Sequence, residues 1–202
     1  MVVTTAMKFS NTRILGIIGI IGAPWMFIDF INNGFYEHFQ VSAASGVRNF
    51  LFMTGWICSL LGLYKLRALG DKIWQKMIFI LQMLFLLLAE VWSVMEMTKA
   101  GRTSRFFFTL NYSWHVAGFL MILTGIQILR KNQLKGWKRF VPLLAGFWFP
   151  GTLCIYFFTG NSVAMVLLSG VYSMIVFSLL GFTVATQDNV ASLPPQRSHN
   201  VH

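Results

Sequence analysis

The sequence is short of charge, and of acid above all. Of its 202 residues only 11% are charged and only six are Asp or Glu, where an ordinary soluble domain has about 25% charged residues. That deficit excludes a chain built to face water over most of its surface. Cysteine is equally sparse. Cys58 and Cys154 stand far apart with no Cys-x-x-Cys spacing, which excludes a disulfide framework and a dithiol redox centre and leaves both as small apolar packing residues. Of four histidines, His199 and His202 fall in the C-terminal tail, so a haem would have to draw on His38 and His115 alone. Every lysine falls in a loop or near a helix end, which argues against a retinal Schiff base. There is no His-Glu-x-x-His, no Gly-x-Ser-x-Gly and no glycine-rich phosphate loop. No cofactor is expected.

What fills the chain instead is hydrocarbon. Hydrophobic residues make up 56%, gathered into six stretches at about 14–33, 48–66, 73–97, 111–129, 139–158 and 163–185, each near or above the roughly 17–25 residues that cross a bilayer. The expectation is an all-α polytopic membrane protein with six transmembrane helices in residues 1–186. The polar tail 187–202, with Pro194-Pro195, is expected to be disordered. The first stretch follows Lys8 and Arg13 like a signal anchor. Trp25, Met26, Phe27 and Ile28 stand where a cleavage site would need small residues, so the segment is expected to be retained.

The net charge of +10 invites a nucleic-acid reading, but its distribution opposes one. Twelve of the sixteen basic residues lie in the N-terminus, the second and fourth loops and the tail; the remaining four are Arg48, Lys99, Arg102 and Arg105. This is the positive-inside bias, and it predicts cytoplasmic termini in a plasma or bacterial inner membrane. The expected partners are the lipid bilayer, a small-molecule or lipid-like ligand and, as an open option, a second copy of the chain, with no nucleic acid.

A weak repeat runs through the sequence. Gly62-Leu-Tyr-Lys-Leu-Arg67 precedes Trp74 and Lys76, and Gly125-Ile-Gln-Ile-Leu-Arg130 precedes Trp137 and Arg139, at one offset of 63 positions. Pro24 and Pro150 are two offsets apart. The pattern fits three tandem helical hairpins; the competing reading is convergence, because every inward turn wants a basic residue and an interfacial aromatic. Each proline removes a backbone donor, and its span either kinks for packing or bends to open a cavity. Gly16, Gly19, Gly22 and Ala23, and likewise Ser169, Gly170 and Ser173, form small-residue stripes that let helices approach closely.

Asp29 and Glu90 sit inside apolar stretches, where a carboxyl group is expensive and usually has a partner or a task. The topology puts Asp29, Glu90, Glu96, His115 and Arg48 in the outer half of the membrane. Helical spacing groups Asp29 with Trp25, Asn33 and Tyr36, and His115 with Asn111 and Tyr112. Tyr156 and Asn161 mark the outer ends of the last two spans. The candidate ligand-binding set is therefore Asp29, Glu90, His115, Arg48, Trp25, Asn33, Asn111, Tyr112 and Tyr156, with Glu90 ranked first because it lies deepest. Bland alternatives stand beside it: Asp29 snorkels or pairs with Arg48, Glu90 makes a structural hydrogen bond, Glu96 is interfacial, His115 is a packed structural residue, and Glu37 and His38 are loop surface. No metal site is expected. The leading expectation is a binding or transport protein with an outward-facing polar and aromatic cavity for a small, amphiphilic or cationic ligand, open to proton coupling through a carboxyl group. The alternatives are an intramembrane enzyme using histidine and carboxylate chemistry, and an accessory or scaffold subunit.

Overall fold

In the computed structural model residues 11–33, 42–100, 104–160 and 162–187 are described. Glu37, His38, Asn161 and the tail from residue 188 lie outside them. The helices are α1 (Asn11–Gly22), α2 (Pro24–Asn33), α3 (Ala43–Lys65), α4 (Ile73–Thr98), α5 (Arg105–Asn111), α6 (Ser113–Lys131), α7 (Val141–Gly146), α8 (Trp148–Thr159) and α9 (Val163–Thr186), with a 3-10 turn at Gly136–Phe140 before α7. No strand occurs among the described residues.

Five stretches are long and apolar enough to cross a membrane: Asn11–Asn32, Ala43–Lys65, Ile73–Thr98, Arg105–Lys131 and Val163–Thr186. Gly136–Gly146 and Trp148–Thr159 meet at 56° and complete a sixth when taken as one broken span. The chain is thus an all-α polytopic membrane protein. Two spans begin earlier than the apolar runs suggest. Ser42 and Ser104 cap α3 and α5, their side chains accepting from the amides of Ser45 and Phe107. A capping serine satisfies orphan amides and so starts a helix ahead of the greasy part. Ser162 does the same for α9 through Met165, so the return helix of each hairpin opens on one device.

The hairpins form a ring. Each span packs on its neighbours in the chain, and α9 closes on α1 and α2, with α3 also touching α9. With no hydrophobic force between helices in lipid, close van der Waals contact must hold the ring. The expected small-residue stripe supplies it. A Cβ on Gly181 would lie 2.6 Å from the Ile20 nitrogen, and one on Gly22 would lie 2.8 Å from the Gly55 Cα. Trp56, Phe52, Phe177 and Trp148 fill the centre, the Phe52–Phe177 and Trp56–Phe177 centroids both being 4.9 Å apart.

The prolines serve this packing. Pro24 opens α2, where its missing amide proton loses nothing. Pro150 lies in the first turn of α8, just past the 56° bend. There Trp148 is fully buried, stacked on Phe30 at 6.3 Å, with its Nε1 donating to the Ser169 carbonyl at 3.2 Å. The bend turns a tryptophan into the core.

Twelve basic residues mark one end of the bundle in sequence, hereafter the basic-rich end. Trp74 and Trp137 are half exposed there, as interfacial anchors are. Lys131 Nζ pairs with Asp71 at 2.8 Å and holds that carboxyl below its ordinary range. A depressed acid stabilises only above its titration, so this tie loosens as pH falls through the lowered value; being exposed, it contributes little.

Gly181→Ala is expected to lower stability by about 1–3 kcal/mol, because the new methyl meets backbone that cannot yield. Gly118→Ala, whose Cβ would meet only the Phe149 Cβ at 3.5 Å, should stay within about 0.5 kcal/mol of the parent. Reversible unfolding from bicelles by added detergent measures both.

Candidate functional site

The polar residues of the basic-poor end gather on the first turns of α3. That helix begins there at Ser42, and a helix N-terminus carries a partial positive charge. Asp29 from α2 and Glu96 from α4 both reach it. Arg48 Nε donates to Asp29 Oδ1 at 2.8 Å, and Ser45 Oγ donates to Asp29 Oδ2 at 3.2 Å. Asn49 Nδ2 donates to Ser45 Oγ at 3.3 Å and to Glu96 Oε2 at 3.1 Å. Four of these five residues are buried, Asp29 at 3% exposure and Glu96 at 0%. Among the described residues Glu96 Oε1 has no well-aligned hydrogen-bond partner, although the Ser45 hydroxyl and the Ser42 backbone lie close to this carboxyl.

Helical phase explains why Glu96 points in. The buried residues of α4 include Phe79, Gln82, Leu86, Ala89, Ser93 and Glu96, a spacing of three and four that forms one stripe. The polar members of that stripe all have company. Gln82, nearer the basic-rich end, accepts from Thr124 Oγ1 at 2.7 Å and donates to the Ala117 carbonyl at 3.3 Å. Ser93 Oγ donates to the Ala89 carbonyl at 3.1 Å.

The expected set is only partly brought together. Asp29 and Arg48 meet as an ion pair, which the sequence reading held open as the bland alternative. Glu90 stands apart on another flank of α4, its Oε1 accepting from Thr54 Oγ1 at 2.8 Å. His115 is set among rings: Trp114 stacks on it at 3.7 Å, and Phe149 meets it edge-on at 4.6 Å. Asn111 Oδ1 accepts from Trp114 Nε1 at 3.1 Å, and Tyr112 sits exposed at the break between α5 and α6. Trp25 packs against the apolar core, and Tyr156 is exposed on α8. Asn33 ends α2, and its side chain is outside the described part. Ser45, Asn49 and Glu96 are the cluster members missing from the expected set. For Glu96 the signal was available in the phase of Gln82, Ala89 and Ser93.

Chemically, the cluster sets two carboxylates against one guanidinium and a helix N-terminus. Both oxygens of Asp29 are engaged, whereas among the described residues Glu96 Oε1 accepts no well-aligned hydrogen bond. The ligands on offer are carboxylate, hydroxyl and amide groups, a set that suits an ammonium or another hard cation. Among the described residues no three of His, Cys, Asp and Glu converge as a metal-binding group. Trp92, one turn from Glu96 on α4, packs on Phe107 at 5.9 Å, and both are buried.

Fold and cluster together define a polytopic helical membrane protein with a buried polar network at the basic-poor end of its bundle. Comparison with models of known protein families, with curated proteins and with solved structures finds no match.

Removing one partner of a buried ion pair leaves the other charge without compensation. Arg48→Met and Asp29→Asn are each expected to destabilise the fold, on the order of 3 kcal/mol. The double variant should lose clearly less than the two single losses combined. A double-mutant cycle in bicelles reads the difference; strict additivity would mean that the pair is not coupled.

Proposed function

We propose that the protein binds a small cationic ligand, an amphiphilic amine being the best fit, at the basic-poor end of its bundle. The distribution of basic residues makes that end the outer side of a plasma or bacterial inner membrane, with both termini cytoplasmic. One observation carries the reading: Glu96 is fully buried, and among the described residues its Oε1 lacks a well-aligned donor, with the Ser45 hydroxyl and the Ser42 backbone close by. A buried carboxylate oxygen left bare is costly unless a donor or cation completes it. An ammonium group brings donors and the missing positive charge, and Trp92 with Phe107 offers an apolar wall for a hydrocarbon portion.

Binding is favoured over passage. The ring centre is filled by Trp56, Phe52, Phe177 and Trp148, so a ligand crossing the bundle would require these rings to move, while one seated at the end would not. Proton-coupled transport through the same carboxylates is the extended form of this reading. The enzyme alternative gains no support, because His115 has Trp114 and Phe149 rings against it.

The experiment is a binding titration on protein in nanodiscs with a series of primary alkylamines and tetraphenylphosphonium. Glu96→Gln is expected to weaken binding by about tenfold or more, as loss of a charge-assisted contact should. Glu90→Gln should leave it near the parent value. Absence of binding across the series, or equal affinity in Glu96→Gln, contradicts the reading. A pH gradient across protein-containing liposomes tests the extended form through amine-driven proton movement.

A further inference from the structure

At the opposite end of the bundle the charge imbalance is reversed. Asp71 is the only acid among the described residues of the basic-rich end, and cations crowd it. Lys131 Nζ donates to it at 2.8 Å, and the charges of Lys76 and Arg67 reach the same carboxyl. One carboxylate thus gathers three cations, from the turn after α3, the first turn of α4 and the last turn of α6. Arg67 and Lys76 are exposed, and the Lys131 side chain keeps 29% of its surface. These charges are open to a ligand.

An apolar groove starts at the same place. Trp74 follows Asp71 by one turn and stands between Lys72 and Lys76. With Met77, Ile78, Ile80, Leu81 and Leu84 it lines an open hollow of about 490 Å³ along α4. From Trp74 to Leu84 the helix rises about 15 Å, half of the roughly 30 Å hydrocarbon thickness. The groove therefore begins at the basic interface and ends at mid-membrane.

We infer that this groove holds an acyl chain of an anionic phospholipid, whose phosphate headgroup lies among Arg67, Lys76 and Lys131. Charge and length select that occupant together. A zwitterionic lipid would fill the groove but leave the excess cations at its mouth unmatched. A spanning helix of a partner would continue past mid-membrane, where the groove stops. A second copy of this chain would bring its own basic end against this one. An anionic headgroup meets exposed cations that have no second acid among the described residues. Each such cation near the membrane surface favours an anionic lipid about fivefold. Trp74, half exposed, lies at headgroup level as interfacial aromatics do.

The test is native mass spectrometry of the full chain in a non-ionic detergent, titrated with phosphatidylglycerol or with phosphatidylcholine of the same acyl chains. Phosphatidylglycerol is expected to bind at least about tenfold more tightly. Arg67→Gln together with Lys76→Gln should remove that preference. Lys135→Gln together with Lys138→Gln takes the same charge from the same end, on the side where Lys138 meets the Thr186 carbonyl, and should keep it. Leu81→Trp, which fills the groove and leaves every charge in place, should weaken phosphatidylglycerol binding severalfold. The inference is overturned if the two lipids bind alike, if the two paired substitutions act alike, or if Leu81→Trp changes nothing. Displacement of the lipid by inorganic phosphate at equal concentration would make the occupant a free anion, and displacement by a polyglutamate peptide would make it a protein; either contradicts the lipid.

Discussion

A polar side chain in hydrocarbon has no water to turn to, and that constraint arranges most of this bundle. On α4 it turns Gln82, Ser93 and Glu96 to one stripe and leaves Leu84, Leu87 and Val91 facing out. On α2 it buries Asp29 until it meets Arg48. The glycines at the crossings of α1 with α3 and α9 then let backbones approach closely enough for those polar groups to touch. Packing and polar pairing depend on one another here: the helices cannot come together without small residues, and the charged groups cannot stay inside without the helices.

Much of this architecture was legible in the sequence. The apolar runs marked the spans, and the glycine stripe of the first span is where close packing occurs. The basic residues divided the two ends, and the structure sets interfacial tryptophans at the richer one. Span beginnings were read too late at α3 and α5 because hydropathy ignores capping; Ser42 and Ser104 start helices inside polar sequence. Pro150 left two readings open, and the orientation of Trp148 places the bend in the service of packing.

The candidate site was legible in part, for a reason that can be stated. Depth along the helix ranked Glu90 above Glu96, whereas rotation about the helix decides which carboxylate is enclosed. Six residues separate the two, which places them on different faces, so one joins the inner stripe and the other reaches the seam with α3. The Asp29–Arg48 pair followed from opposite charges at one end of neighbouring spans. His115 carried no such complement, and aromatic residues on α6 and α8 enclose it instead. Two acids in one helix thereby acquire separate settings: Glu96 in the buried polar cluster at the bundle's end, Glu90 at the seam with α3.

The most direct test of the account asks which carboxylate senses a cation. Infrared difference spectra of the nanodisc-embedded protein, recorded as an alkylamine is added, report the carboxyl and carboxylate stretches. The account predicts a ligand-induced change in these bands that disappears in Glu96→Gln and persists in Glu90→Gln. A change that persists in Glu96→Gln, or that vanishes with Glu90 instead, would contradict it.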